Sequence, residues 1–142
     1  GHTTEMTGIR VSGTLLTGDS LFLDGVARPD LQEDADDAAQ ARTLYATLAE
    51  RLRAFPADTL VAPGHTDAGV EDGPEVARLG DLRKRLPVFG MGEAEFVERV
   101  TRVGAEPVNA ERIVAINCGR EAADDEEAFE LELGPNNCAA GG

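Results

Sequence analysis

The chain has 142 residues and a mass of 15.0 kDa, the length of one ordinary domain, and a chain of that size buries about 68–70% of its extended surface on folding. Its 27 acidic and 13 basic residues leave a formal net charge of -14, which repels a phosphate backbone or an anionic membrane and excludes nucleic-acid binding. Hydrophobic residues at 42% and a mean hydropathy of -0.24 are too apolar for a disordered acidic chain, and no apolar run reaches the roughly 18 residues of a membrane helix.

Ile9 and Val11, then Ser12-Gly13, then Leu15 and Leu16 predict two short strands joined by a tight turn, which deliver the chain to Gly18-Asp19. Asp24 to Leu31, broken by Gly25 and Pro29, reads as a long shaped loop. Ala41, Leu44, Tyr45, Leu48, Leu52 and Phe55 then recur at helical spacing, and Pro56 closes that helix. The acidic cluster Glu33 to Asp37 opens it, with Asp36 and Asp37 suited to its positive N-terminal end. Thr59 to Ala62 is a short apolar strand that stops at Pro63-Gly64-His65, and Thr66 to Gly73 is a loop. Pro74 suits the start of a second helix carrying Val76, Leu79, Leu82 and Leu86. A third is expected from Glu93, with Phe96, Val97, Val100 and Val103 inward and Gly104 as its stop. Asn109 can cap a fourth that carries Ile113 and Ile116. Near the end, Phe129, Leu131 and Leu133 alternate with Glu130 and Glu132, so a strand and a short acidic helix around Asp124 to Ala128 fit equally well. Residues 1–135 are read as one structural unit and 136–142 as a disordered tail.

Lys84 is the only lysine, so nearly every cation is arginine. Acid excess with almost no lysine marks a halophilic surface, the simpler reading being a GC-rich genome with an acidic protein. On the halophilic reading the melting temperature rises steeply from low to molar salt as self-repulsion is screened, and a flat profile would exclude it. Cys118 and Cys138, with no secretory segment before them, read as free thiols of a reducing, cytoplasmic compartment. Cys118 suits a small core position better than a redox-sensitive one.

Only two histidines exist, and both sit in glycine-rich corners: Gly1-His2-Thr3 and Pro63-Gly64-His65. Asp19 ends the strand between them. Imidazole plus carboxylate is the ligand mixture of zinc and non-haem iron sites. Taken singly, each has a plainer reading: His65 as a solvated loop residue, Asp19 as a turn cap, Arg28 and Asp30 as an ion pair pinning the loop around Pro29.

In order, Gly1-His2-Thr3, Leu16-Thr17-Gly18-Asp19-Ser20-Leu21-Phe22, Ala27-Arg28-Pro29-Asp30-Leu31 and Ala62-Pro63-Gly64-His65 resemble the second half of the metallo-β-lactamase superfamily. The resemblance implies an α/β fold, the C-terminal half of an αββα sandwich with a mixed sheet and flanking helices. It also places His2, Asp19 and His65 at metal-site positions. The stretch Gly25-Val26-Ala27-Arg28-Pro29-Asp30-Leu31 is similar to the persulfide dioxygenase, or glyoxalase II-like, branch, as is Asn117-Cys118-Gly119. Ala27 departs from it, since many relatives carry Gly there. The superfamily's first metal motif, HxHxDH, is absent, so the N-terminal half that bears it is an implied partner.

That branch implies a single Fe(II) held by His2, Asp19 and one upstream histidine, with Arg28 and Asp30 orienting the ligands and His65 either supporting a ligand or facing the substrate. The substrate would be a low-molecular-weight thiol persulfide, oxidised by O2 to sulfite. Two alternatives stand beside it. One is a dinuclear zinc thioester hydrolase of the glyoxalase II type, in which His65 is a ligand and Asp19 bridges. The other is an inactive proteolytic half-domain, whose exposed edge and apolar face would drive association, a homodimer included.

Overall fold

The computed structural model describes residues 2–32, 35–65, 76–102, 109–133 and 139–140. Its centre is a four-stranded mixed sheet in the order β1-β2-β4-β5, built from Ile9–Val11, Thr14–Gly18, Leu60–Pro63 and Ala77–Arg78. β1 and β2 are the expected hairpin, and Ser12 takes the left-handed conformation at φ 53° that its two-residue turn needs. β4 runs parallel to β2, with Leu15 opposite Val61 and Leu16 opposite Ala62. The register slips between Leu16 and Gly18, and that irregularity turns the end of β2 toward Asp19. A separate two-stranded sheet pairs β3 (Val26–Ala27) with β6 (Ala139–Ala140).

Alternation sorts the side chains of the larger sheet. Leu15, Thr17 and Val61 are buried beneath the helices, whereas Ile9, Val11 and Leu16 lie exposed on the other side, Ile9 directly opposite Leu16. The buried face joins one aliphatic cluster with Ala41, Leu44 and Leu48, Leu79 and Leu82, and Phe96 and Val100. Helix α1, Asp37–Ala46, begins at Asp36, whose carboxylate accepts from the Ala38 and Ala39 amides at 2.9 and 3.1 Å. The helical run continues through a π turn at Thr47–Arg51 and a 3-10 turn at Leu52–Ala54, so the expected long helix is present with a changed pitch. Helix α3, Glu93–Val100, packs on α1, with the Phe96 and Tyr45 rings 5.5 Å apart.

Several expectations need correction. The segment before Leu79 is not helical at Ala77–Arg78; it pairs with Leu60 and Val61 and covers that side of β4, so helix α2 spans only Leu79–Arg85. Asn109 precedes α4, Ala110–Asn117, in a left-handed conformation at φ 62° and makes no side-chain cap. The strand reading of Phe129 to Leu133 fails: α5 is a helix over Asp125–Leu133, with the Asp124 carboxylate accepting from the Glu127 amide and Phe129 exposed. Cys118 is exposed at the end of α4 rather than in the core. Ala139–Ala140, assigned to the tail, pairs with β3, and Ala140 is buried. Pro74, Val103, Gly104 and Cys138 lie outside the described residues. Among the described residues no helix is long and apolar enough to cross a membrane.

Candidate metal centre

The turn after β2 sets the position of Asp19. The Ser20 amide donates to the Thr17 carbonyl at 3.2 Å, and the buried Thr17 hydroxyl donates to the Leu21 carbonyl at 2.7 Å. Gly18 adopts φ +51°, and a Cβ there would meet Met6 Sδ at 2.7 Å. The end of β4 comes down beside it, with the Gly64 amide donating to the Gly18 carbonyl at 2.9 Å. A side chain at Gly64 would stand 2.5 Å from Asp19 Oδ1. The glycine of the Pro-Gly-His corner is therefore required by the close approach of the aspartate, and it lets His65 reach across.

His65 Nδ1 lies 2.8 Å from Asp19 Oδ1. A carboxylate only accepts, so Nδ1 carries the proton. The His65 side chain is 39% exposed and that of Asp19 14%. On the other side, His2 Nδ1 donates to the Arg28 carbonyl at 2.9 Å, and His2 Nε2 faces Asp19 Oδ2 at 3.7 Å. His2 is buried. Its turn is held by a clasp that local sequence signals did not reveal. Gln32 Oε1 accepts from the Thr4 amide and hydroxyl, each at 2.9 Å, and from Gln40 Nε2 of α1 at 3.1 Å. Thr4 and Gln32 are 28 residues apart in the chain, beyond the reach of any periodic pattern.

Arg28 is 1% exposed, and its Nε and Nη2 donate to the two oxygens of Asp30 at 2.7 Å each. The fork closes around Pro29 and fixes the backbone whose carbonyl holds His2. The Arg28 hydrogen bond holds the Asp30 carboxyl below its ordinary range, against an opposing push from partial burial. A depressed carboxyl stabilises the fold above its unfolded pKa of about 3.9, and that contribution is lost as pH falls through the folded value. Asp30→Asn should therefore lower stability at neutral pH, and the gap to the parent should narrow in melts taken below about pH 4. A gap that is constant with pH would show that the ionised pair is not what the substitution removes.

The five residues singled out by sequence, His2, Asp19, Arg28, Asp30 and His65, thus form one connected chain of contacts. Among the described residues no group of three or more His, Cys, Asp or Glu side chains is arranged as a metal-holding cluster. Part of one is present. With Nδ1 donating to the Arg28 carbonyl, Nε2 is the nitrogen turned to Asp19 and is the one that could ligate a metal, and 3.7 Å is too long for a hydrogen bond. Two ligands of one ion, each bonded at about 2.0–2.2 Å, can stand that far apart. The donor set of imidazole nitrogen and carboxylate oxygen suits Fe(II) or Zn(II).

Comparison with solved structures places this fold. The chain is similar to a metallo-β-lactamase from Staphylococcus aureus subsp. aureus COL, with TM-score 0.62 and 24% identity over 73% of this chain and 33% of that one. It thus has the metallo-β-lactamase fold, as its motifs imply. Within that fold it is also similar to ETHE1 from Myxococcus xanthus, with TM-score 0.68 and 29% identity over 84% of this chain and 51% of that one. The chain therefore spans about a third and about half of the lengths of these two proteins. No family model matches the sequence, and no curated protein matches it significantly.

Proposed function

We propose that this chain is the C-terminal half of a cytoplasmic persulfide dioxygenase that uses Fe(II), with His2 and Asp19 as two of the metal ligands. The observation that carries the reading is the fixed tautomer of His2, with Nδ1 tied to the Arg28 carbonyl and Nε2 presented to Asp19. The remaining ligand is a histidine of the first half, from the HxHxDH motif. The open face of the large sheet, with Ile9, Val11 and Leu16, is the seat of that half, and pairing of two copies is its competing occupant.

Bound iron would supply adjacent open positions for dioxygen and a thiolate-type substrate. In the overall reaction a thiol persulfide, dioxygen and water give free thiol and sulfite: the S–S bond breaks and the outer sulfur is oxidised as dioxygen is reduced. Asp19 contributes the anionic donor through the oxygen facing His2. His65 donates to the other oxygen and so orients the carboxylate, and its exposed ring faces the substrate side. That division of the two carboxylate oxygens favours one metal over two. Arg28 and Asp30 hold the loop whose carbonyl orients His2.

The test uses the full-length protein carrying this sequence. Dioxygen uptake with glutathione persulfide, sulfite formation and about one iron per chain are expected. Thioester hydrolysis without dioxygen uptake, together with about two zinc ions per chain, would replace the dioxygenase with the glyoxalase II-type hydrolase.

A further inference from the structure

A cavity lies between the end of the α1 helical run and the turn after α2. Tyr45, Leu48 and Ala49 line it from one side, and Val88, Phe89 and Met91 from the 3-10 turn Pro87–Gly90 and the residue after it. Its volume is about 170 Å³, close to the roughly 150 Å³ of apolar cavities that accept a benzene ring. None of these residues belongs to the corner formed by His2, Asp19 and His65.

The remaining lining residues are Arg53 and Arg83, and no acidic side chain lines the cavity, although the chain as a whole is at -14. Arg83 is held in place: its Nη2 donates to the carbonyls of Leu52 and of Phe55, the latter at 3.0 Å. Its Nε is buried and has no hydrogen-bond acceptor among the described residues. Two guanidinium groups in a wall without an acidic side chain suit the carboxylate of a ligand. The rings of Tyr45 and Phe89 and the adaptable Met91 suit an apolar body attached to that carboxylate.

We propose that this cavity binds a small carboxylate carried on a single ring or a short aliphatic chain, with Arg83 reading the anionic end. The site is independent of the metal centre and of the reaction proposed there.

Titration of the protein with benzoate, followed by the backbone amide signals of Leu48, Ala49, Val88 and Phe89, tests it. Saturable shifts at millimolar benzoate are expected, with benzyl alcohol, the neutral counterpart, binding at least about 10-fold more weakly. Ala49→Leu fills the cavity without touching either arginine and should weaken benzoate at least about 10-fold while the melting temperature holds. Arg83→Gln should remove the preference for benzoate over benzyl alcohol; if that variant fails to fold, the Ala49→Leu and benzyl alcohol comparisons decide. Absence of saturable shifts, equal binding of the alcohol, or unchanged binding by Ala49→Leu would each overturn the proposal.

Discussion

Replacing Asp19 with alanine in the full-length protein is expected to lower persulfide-dependent dioxygen uptake by a factor on the order of 100 or more, with little change in melting temperature. Substituting groups that merely support metal ligands costs about 10–100-fold, and the proposed role of Asp19 is ligation itself. The fold should survive because Asp19 stands just past the end of β2, outside the aliphatic cluster. Its removal leaves His65 Nδ1 without its acceptor, but that side chain is 39% exposed and water can replace the carboxylate, a loss of about 1 kcal/mol or less. Asp19→Asn refines the result: an amide oxygen can still accept from His65, so loss of uptake in that variant isolates the negative charge. His65→Ala separates one metal from two. Substantial remaining uptake supports the mononuclear site, while complete loss together with one metal ion supports the dinuclear one. Full activity in Asp19→Ala would remove this residue from the site.

Arg28→Ala is expected to destabilise the fold by about 3 kcal/mol, measured as a shift in the denaturation midpoint at constant slope. Removing one partner of a buried ion pair costs about 3–5 kcal/mol because the other charge is left uncompensated. Here Asp30 remains 25% exposed and can recover some hydration, which places the loss at the lower end of that range. Arg28 is itself fully enclosed, so truncation also leaves space the surroundings must close. Arg28→Lys should recover only part of the loss, because an ammonium cannot meet both oxygens of Asp30 in the forked geometry that guanidinium provides. A loss below about 1 kcal/mol would put the pair among ordinary surface ion pairs and deny it the role of pinning the loop.

The two experiments differ in what they probe. Asp19→Ala probes the proposed metal ligation, whereas Arg28→Ala probes the fold and reaches the proposed site through the Arg28 backbone carbonyl. Metal content of Arg28→Ala, measured at a temperature where the variant is still folded, should fall as His2 loses its fixed orientation.

The elements legible in the sequence were those whose cause is local. Alternation around Ser12-Gly13 predicts β1 and β2, helical spacing from Ala41 to Leu52 predicts the long helical run, and Asp36 marks its start through bonds only two and three residues long. The identities of His2, Asp19 and His65 as candidates also came from sequence, through the order of their motifs. What sequence could not decide was set by partners distant along the chain. Ala77–Arg78 extends because β4 offers an open edge, and Ala139–Ala140 pairs because Val26–Ala27 does; strands of two residues carry no periodic signal of their own. Phe129 to Leu133 satisfies an alternating pattern yet coils, since the Asp124 cap closes a first helical turn and no strand pairing competes for it in the structure described. The site divides in the same way. Residue types and the Pro-Gly-His corner are properties of the chain, but only the tertiary structure brings Gly64 close enough to Asp19 to require a hydrogen for its side chain. Only the fold, through the Arg28 carbonyl and the Gln32 clasp, takes a histidine near the beginning of the chain out of water and fixes which nitrogen it presents. Hydrogen bonds across 26 and 28 residues form only when the fold brings the segments together, and no local propensity encodes them.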